Sequence, residues 1–359
     1  MYKSFKALGR NEKKAWWGGF FIKNAIYIII AVIVVYVQIF SLINADFDNS
    51  FLSFDSIIDI IKRSGASLFL ALGVGGIIVM TGTDLSAGRI MGLTACVSAS
   101  LLQLPADKYA AKMFPGFTAS PAWLYISLAI LLSMSVGAAV GAFNGFYVAK
   151  FRLHPFIVTL STQLILYGVV LWYVKLGNNG GGPISGLIDE YKDVVKYTVN
   201  IGGTPIPLYV FYAIIAAAIM WFVWNKTTLG KNMYAVGANQ EAANVSGISI
   251  MRTTVFIFMI AGILYGFSGF IEAARTGSNS ATTGVNNELD AIAACVIGGV
   301  SFTGGMGKIS GIITGVILLQ IINIALQWLG VPSEAQYITK GAIILVAAAI
   351  DMQKYLSKR

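Results

Sequence analysis

The chain has 359 residues, of which 57% are hydrophobic and only 11% are charged, and its formal net charge is +9. A soluble domain carries about 25% charged residues, so this composition leaves too little polar surface to cover a soluble core. The apolar residues fall in runs of about 17–25, the length with which a helix crosses about 30 Å of hydrocarbon. The sequence therefore predicts an all-α integral membrane protein.

The apolar runs predict about ten transmembrane helices. The first follows a lysine-rich stretch, but it is longer than the apolar part of a signal peptide and no cleavage site follows it. The eighth is short, and such a broken or buried element is tolerated only where protein or a cavity shields it. The predicted spans are 25–43, 66–81, 87–103, 122–149, 155–175, 208–224, 253–273, 289–302, 309–329 and 335–351.

These spans divide the chain into an N-terminal segment, 1–24, a single transmembrane domain, 25–351, and a tail, 352–359. Ten crossings place both ends of the chain on one side. That side then carries most of the basic residues, Arg89 among them, and few of the acids. Because Lys and Arg are enriched on the cytoplasmic face, we expect both termini to be cytoplasmic. The positive charge then reports topology, and nucleic-acid binding is not expected.

A polar loop, residues 225–252, follows the sixth predicted helix and therefore faces the cytoplasm. Its spacing E-A-A-x-x-x-G predicts a short helix with small residues on one face and a glycine stop, around which the cleft of another protein can close. An ordinary amphipathic loop is the alternative. The predicted coupling residues are Gly237, Asn239, Glu241, Ala242, Ala243 and Gly247.

A second feature is the stretch GTDLSAGR, residues 82–89. Asp84 is an ionisable residue inside a membrane segment, which makes it a functional candidate. It follows a break at Gly82 and precedes a helix, where Asp caps free amides and meets the positive end of the helix dipole. We expect it to act as a helix cap that shapes a gate region with Gly82 and Gly88. A similar break at 303–315 would suit two related halves.

The apolar segments otherwise offer neutral hydrogen-bonding groups and almost no ionisable ones. Such groups should face the protein interior or a wet cavity, because unpaired polar groups are costly in hydrocarbon. A neutral path suits a polyhydroxylated sugar better than an ion, although hydrogen bonds between helices are an equal alternative. The candidate path residues are Asn144, Gln163, Gln320 and Asn323.

The sequence predicts no catalytic chemistry in this chain. Cys96 and Cys295 lie in apolar runs and there is one histidine, so neither a disulfide framework nor a metal site is expected. The stretch GGVSFTGGMGKIS, residues 298–310, only superficially resembles a phosphate-binding loop. The places that need Gly and Ser or Thr hold Phe302 and Ile309. We therefore expect no cofactor on this chain, and any ATP hydrolysis must come from a partner.

Four stretches carry a resemblance to a known family. They are WNKTTLGKNMYAVGANQEAANVSGI (224–248), GTDLSAGR (82–89), ELDAIAACVIGGVSFTGGMG (288–307) and QYITKGAIILVAAAID (336–351). Together they resemble the monosaccharide permeases of bacterial ABC importers. The chain departs from that pattern at Ala238, where glycine is common, and in the variable loop 176–206.

The resemblance implies an ABC importer permease fold in the bacterial inner or plasma membrane. It also implies a second permease copy, a partner ATPase that holds ATP and Mg, an extracytoplasmic sugar-binding protein and contact with lipid. The implied cargo is galactose or a methyl galactoside, with ribose, another pentose or a nucleoside as alternatives. An ion-coupled secondary transporter is the alternative of another class, but it normally needs charged relays in the membrane. Glu272 and Lys340 lie near outer helix ends, where they could snorkel.

Overall fold

The computed structural model describes residue 28, residues 30–43 and residues 50–356. The expected N-terminal segment 1–24 lies outside these residues, as do the last residues of the expected tail, 357–359.

The described part of the chain is mostly helical, and it also contains one two-stranded hairpin, which the all-α prediction missed. The elements in chain order are α1 (Ile30–Ile43), α2 (Phe54–Val79), α3 (Ala87–Leu101), α4 (Ala122–Phe151), α5 (Pro155–Tyr173), α6 (Asp189–Lys196), β1 (Thr198–Ile201), β2 (Thr204–Pro207), α7 (Leu208–Lys226), α8 (Thr228–Ala238), α9 (Gln240–Val245), α10 (Ile250–Thr276), α11 (Asn287–Ile297), α12 (Ile309–Trp328) and α13 (Ser333–Leu356).

Five of the described helices, α4, α5, α7, α10 and α12, are long and apolar enough to cross a membrane. Two further apolar helices, α1 and α3, are shorter. Helix α11 has 11 residues, in agreement with the short eighth segment that the sequence predicts. The count of ten crossings and the two related halves stay predictions.

Helix α2 begins well before the predicted start at residue 66. Ser53 caps it by accepting a hydrogen bond from the backbone N–H of Ser56. The first turns carry an ion pair between Arg63 and Asp59 at 2.9 Å, while Ile58 on another face is buried. The charged residues of this stretch made it read as a loop, but they share one face of a helix, on which Asp59 and Arg63 are half-buried.

The centre of the domain is the contact between α4 and α10, the most extensive between two of the described helices. Glycines let the two backbones touch: a β-carbon on Gly137 would overlap the carbonyl oxygen of Gly262, and one on Gly262 would overlap that of Gly137. Gly266 meets the carbonyl oxygen of Ser133 in the same way. Small residues at such interfaces are what hold helices together in a membrane, where lipid is as apolar as the side chains.

Two ends of the domain can be told apart by α7. This helix begins directly after the β1–β2 hairpin and ends directly before α8, so its 19 residues separate the hairpin from the polar loop by about 28 Å. The hairpin closes through Gly202 and Gly203, which have φ values of +61° and +88°. We call the two ends the hairpin side and the polar-loop side.

Candidate functional site

Helix α9, in the middle of the polar loop, is capped at both ends. At its start the Asn239 Oδ1 accepts a hydrogen bond from the backbone N–H of Ala242 at 2.9 Å. At its end Gly247 has a φ of +82°, and the N–H groups of Gly247 and Ile248 donate to carbonyl oxygens one turn back. This is a Schellman ending, which favours glycine because the backbone is left-handed. The structure thus has the short helix and the glycine stop that the spacing predicts.

The outer face of α9 differs from the predicted one. Ala243 is 4% exposed, so its side chain packs inside this chain, and the expectation that it faces a partner is wrong. Glu241 and Ala242 are exposed. Val245 is 90% exposed, because two helical positions turn the side chain by about 200° away from Ala243. The exposed Val245 is a candidate contact for a partner protein that was not predicted from the sequence. Its spacing of two residues from Ala243 already placed the two side chains on opposite faces of a helix.

The end of α8 makes backbone contact with two other segments at a point we call the glycine junction, formed by Val79, Gly237 and Gly305. A β-carbon on Gly237 would overlap the Val79 carbonyl oxygen and would lie 2.8 Å from the Gly305 nitrogen. The Gly305 N–H donates to the same Val79 oxygen at 2.8 Å. Nearby, the Tyr234 hydroxyl donates to the Gly307 carbonyl at 2.9 Å. The polar loop is therefore fixed to the end of α2 and to the segment between α11 and α12.

A cavity of about 790 Å³ lies beside α9. Its walls include Glu241 and Asn244 from α9, and Thr81 and Gly82 from the break that follows α2. Thr81 has a φ of +65°, and a β-carbon on Gly82 would lie 2.9 Å from the Ile77 side chain. The volume falls in the range of about 300–1,000 Å³ that ligand sites occupy. The predicted break at Gly82 thus borders a ligand-sized cavity on the polar-loop side.

Asp84 lies in the extended segment before α3 and is 1% exposed. Its Oδ1 accepts hydrogen bonds from the backbone N–H of Ser86 at 2.9 Å and from the Ser86 hydroxyl at 2.6 Å. The N-cap of α3 is Ser86 itself, whose side chain makes no capping hydrogen bond. The predicted capping role of Asp84 is therefore wrong in its detail. The Asp84 carboxylate bonds to Ser86, the residue before the helix, and this Asx turn shapes the approach to α3.

Asn144 is fully buried and belongs to the same network. Its Nδ2 donates to the Ser86 hydroxyl at 3.0 Å, and its Oδ1 accepts from the Thr162 hydroxyl at 2.6 Å. These bonds join the start of α3 to α4 and α5. They match the alternative in which this amide holds helices together.

Gln320 and Asn323 lie at another helix contact. Gln320 Nε2 donates to the Ser67 hydroxyl of α2 at 2.8 Å, and Asn323 Nδ2 donates to Gln320 Oε1 at 3.5 Å. Both amides are buried. The structure therefore divides the four candidate path residues between two places. Gln163 lies on α5 and Asn144 bonds to that helix, whereas Gln320 and Asn323 lie on α12, where Gln320 bonds to α2.

An acid and a base come together inside the domain, where the sequence predicted almost none. A β-carbon on Gly88 would overlap Glu288 Oε2, so Gly88 makes room for this carboxylate. Glu288 is 3% exposed, and its Oε1 accepts from Gln163 Nε2 at 3.4 Å. Arg89, expected at the cytoplasmic face, places its guanidinium 4.2 Å from the centre of the Tyr167 ring. The sequence did contain an indication of this pair, because Arg89 and Glu288 both lie in apolar stretches that carry the family resemblance.

The charges near the other helix ends are paired. Glu272 bonds to Arg275 at 2.8 Å and Lys340 bonds to Asp290 at 2.9 Å. The expected snorkelling of Glu272 and Lys340 is thus replaced by ion pairs. All but Lys340 also border a small cavity of about 120 Å³.

Long apolar helices packed through glycine, a rigid polar loop and a ligand-sized cavity beside it define a multi-pass membrane transport component. Residues 56–348 match the family described as branched-chain amino acid transport system, permease component. The chain belongs to this permease family.

Curated relatives cover most of the chain. It is 44% identical to the galactose/methyl galactoside import permease protein of Escherichia coli over 312 residues, 87% of this chain and 90% of that protein. It is 41% identical to the protein of the same name from Haemophilus influenzae, over 94% of this chain and 96% of that one. The ribose import permease protein of Escherichia coli is 32% identical over 85% and 88%. No solved structure shows a significant similarity.

Proposed function

We propose that this chain is the membrane-spanning permease of an ATP-driven ABC importer for galactose or a methyl galactoside. The observation that carries the proposal is α9, a helix capped by Asn239 and Gly247 that exposes Val245 and is tied to the membrane helices by the glycine junction. A rigid element of this kind can turn the closure of a soluble partner into a shift between two packings of the membrane helices.

The partner at α9 is the ATPase subunit, which binds ATP and Mg and performs the hydrolysis. Phe302 and Ile309 interrupt the pattern that a phosphate-binding loop needs, which supports a chain without catalysis or cofactor of its own. The remaining partners are an extracytoplasmic sugar-binding protein on the hairpin side, a second permease copy and the surrounding lipid.

The polar loop and both termini face the cytoplasm of a bacterial cell, and the chain sits in the inner or plasma membrane. Lys226, Lys231 and Arg252 lie on the polar loop or at its edge. Basic residues in short loops mark the cytoplasmic face. The N-terminal segment 1–24 and the tail 352–359 share this side, and residues 25–351 form the single transmembrane domain.

The cargo follows from the relatives. Identity to the galactose/methyl galactoside import permease protein is 44%, against 32% to the ribose import permease protein. This difference supports a galactoside over ribose, another pentose or a nucleoside.

Reconstitution tests the proposal. Proteoliposomes that hold the chain, its ATPase and a galactose-binding protein should import galactose only when ATP is present on the ATPase side, and uptake should persist with ionophores. The same vesicles supplied with a ribose-binding protein test the other sugars. The chain purified alone should not hydrolyse ATP.

The opposite result would favour the ion-coupled transporter. Gradient-driven uptake by the chain alone, abolished by ionophores, would contradict the proposal and would make Glu288 and Arg89 the charged relay that this class needs.

A further inference from the structure

Arg89, Gln163, Tyr167 and Glu288 form a group that we call the mid-membrane cluster. Gln163 lies about 12 Å along α5 from the end of that helix on the polar-loop side. Arg89 lies about 18 Å along α3 from Leu101, the end of that helix on the hairpin side. The two distances together match the hydrocarbon thickness of about 30 Å, so the cluster sits near the middle of the membrane.

The charged groups of the cluster are not fully bonded. Among the described residues, Glu288 Oε2 and Arg89 Nε are buried and have no hydrogen-bond partner. Arg89 Nη1 donates to the Ala281 carbonyl at 3.0 Å. Arg89, Asp84 and Asp290 act electrostatically on Glu288, but the described ion pairs within 4.0 Å do not include Glu288 or Arg89.

A purely structural ion pair would be closed by direct bonds, because buried charges without partners are costly. Glu288 Oε2 and Arg89 Nε therefore keep hydrogen-bonding capacity that the described residues do not use.

The cluster is partly exposed along one face of α5. Gln163 and Tyr167 are half-buried, as is Arg89 beside them. Leu160 and Leu164, 37% and 66% exposed, stand on the same face of α5, since positions three, four and seven apart in a helix share a face. A ligand that moves along this face meets an amide, a guanidinium and an aromatic ring beside apolar side chains.

We propose that the mid-membrane cluster is a sugar-contacting site on the transport path, which takes a neutral polyhydroxylated ligand. Glu288 and Arg89 supply one acid and one base, so the cluster offers both acceptors and donors to a neutral ligand. The guanidinium and the amide donate to sugar oxygens, and the carboxylate and the amide accept from hydroxyls. A few convergent polar groups among apolar and aromatic side chains are typical of small-molecule sites.

Gly88 completes the site, because its missing side chain provides the space in which the Glu288 carboxylate stands. The inference rests on the proposed function, since the ligand is the imported sugar itself.

The test measures galactose uptake and ATP hydrolysis together in proteoliposomes that hold the full importer. Glu288→Gln keeps the size of the side chain and removes its charge. We expect the galactose moved per ATP to fall about tenfold, the size expected for losing one hydrogen bond to a charged group. Hydrolysis stimulated by the binding protein should persist. Gln163→Met, which also preserves side-chain length, should lower the same ratio if Glu288→Gln does not reach the membrane.

Glu272→Gln is the matched control, because it changes a carboxylate that already has its partner in Arg275 and should leave galactose per ATP unchanged. The proposal is overturned if Glu288→Gln and Gln163→Met keep the wild-type ratio. It is equally overturned if uptake, hydrolysis and thermal stability fall together, as a structural role requires. A wild-type complex that imports no galactose with ATP would instead contradict the proposed function.

Discussion

Gly237 and Val79 are in direct backbone contact: the space that a β-carbon on Gly237 would need is filled by the Val79 carbonyl oxygen. The same oxygen accepts the Gly305 N–H at 2.8 Å. One atom of α2 thus touches both the polar loop and the segment that follows α11. Any displacement of α8 and α9 must reach these two membrane elements, and this contact is the physical basis for coupling.

The first prediction concerns this contact. Gly237→Ala should cost about 1–3 kcal/mol, as overpacking of a tight interior does, and it should abolish ATP-driven uptake. The exposed face of α9 is unchanged, so the ATPase should still co-purify. Gly341→Ala is the control, since a β-carbon there meets nothing within 4 Å. Wild-type uptake by a Gly237→Ala protein would show that the glycine junction does not transmit movement.

The second prediction concerns the end of α9. Gly247 has a φ of +82°, a conformation that costs residues with a β-carbon about 1–2 kcal/mol. Gly247→Val should therefore loosen α9 and weaken both ATPase binding and uptake. Gly247→Asn should retain most activity, because Asn tolerates left-handed backbone. Equal activity of the two variants, at equal amounts in the membrane, would contradict a role for the helix stop.

The third prediction concerns Val245, which is 90% exposed. Val245→Asp should change the free energy of unfolding by less than about 0.5 kcal/mol, as is usual at exposed positions. It should reduce ATPase co-purification about tenfold, because burying one valine against a partner contributes about 1.5 kcal/mol or more. Val199→Asp, at a 36% exposed valine on the hairpin side, is the control for the added charge. Unchanged co-purification would exclude Val245 from the interface.

The fourth prediction concerns sidedness. Glu241 on α9 and Asn200 in the hairpin are both exposed, and we expect them on opposite faces of the membrane. Glu241→Cys and Asn200→Cys, each in a background in which Cys96 and Cys295 are replaced by alanine, should react with an impermeant thiol reagent from the cytoplasmic and the outer side, respectively. Reaction of both from the outer side would refute the orientation.

The fifth prediction separates a structural amide from one on the transport path. Asn144→Ala removes the partner of Ser86 and of Thr162, and leaving buried polar groups unpaired costs about 1–3 kcal/mol. The midpoint of thermal unfolding should fall, while galactose moved per ATP stays at the wild-type value. A lower ratio of galactose moved per ATP, at unchanged thermal stability, would show that Asn144 contributes to the transport path.

The sequence predicted those parts of the fold that depend on neighbouring residues. Membrane helices could be predicted because the length of an apolar run must match the hydrocarbon thickness. The end of α9 could be predicted because a glycine stop acts within a few residues of the helix that it closes. The early start of α2 was missed, since polar residues on one face of an amphipathic helix look like a loop when read in order.

Contacts between distant residues were decided by the tertiary structure alone. The meeting of Gly88 with Glu288 depends on which two helix starts lie side by side, and no local spacing encodes that. The same holds for Ala243, whose burial is set by the helices packed against α9. It also holds for Asn144, which forms hydrogen bonds with residues of two neighbouring helices. A glycine in the sequence shows only that another group can approach the backbone closely at that position. The packing of the membrane helices determines which backbone or carboxylate occupies the space.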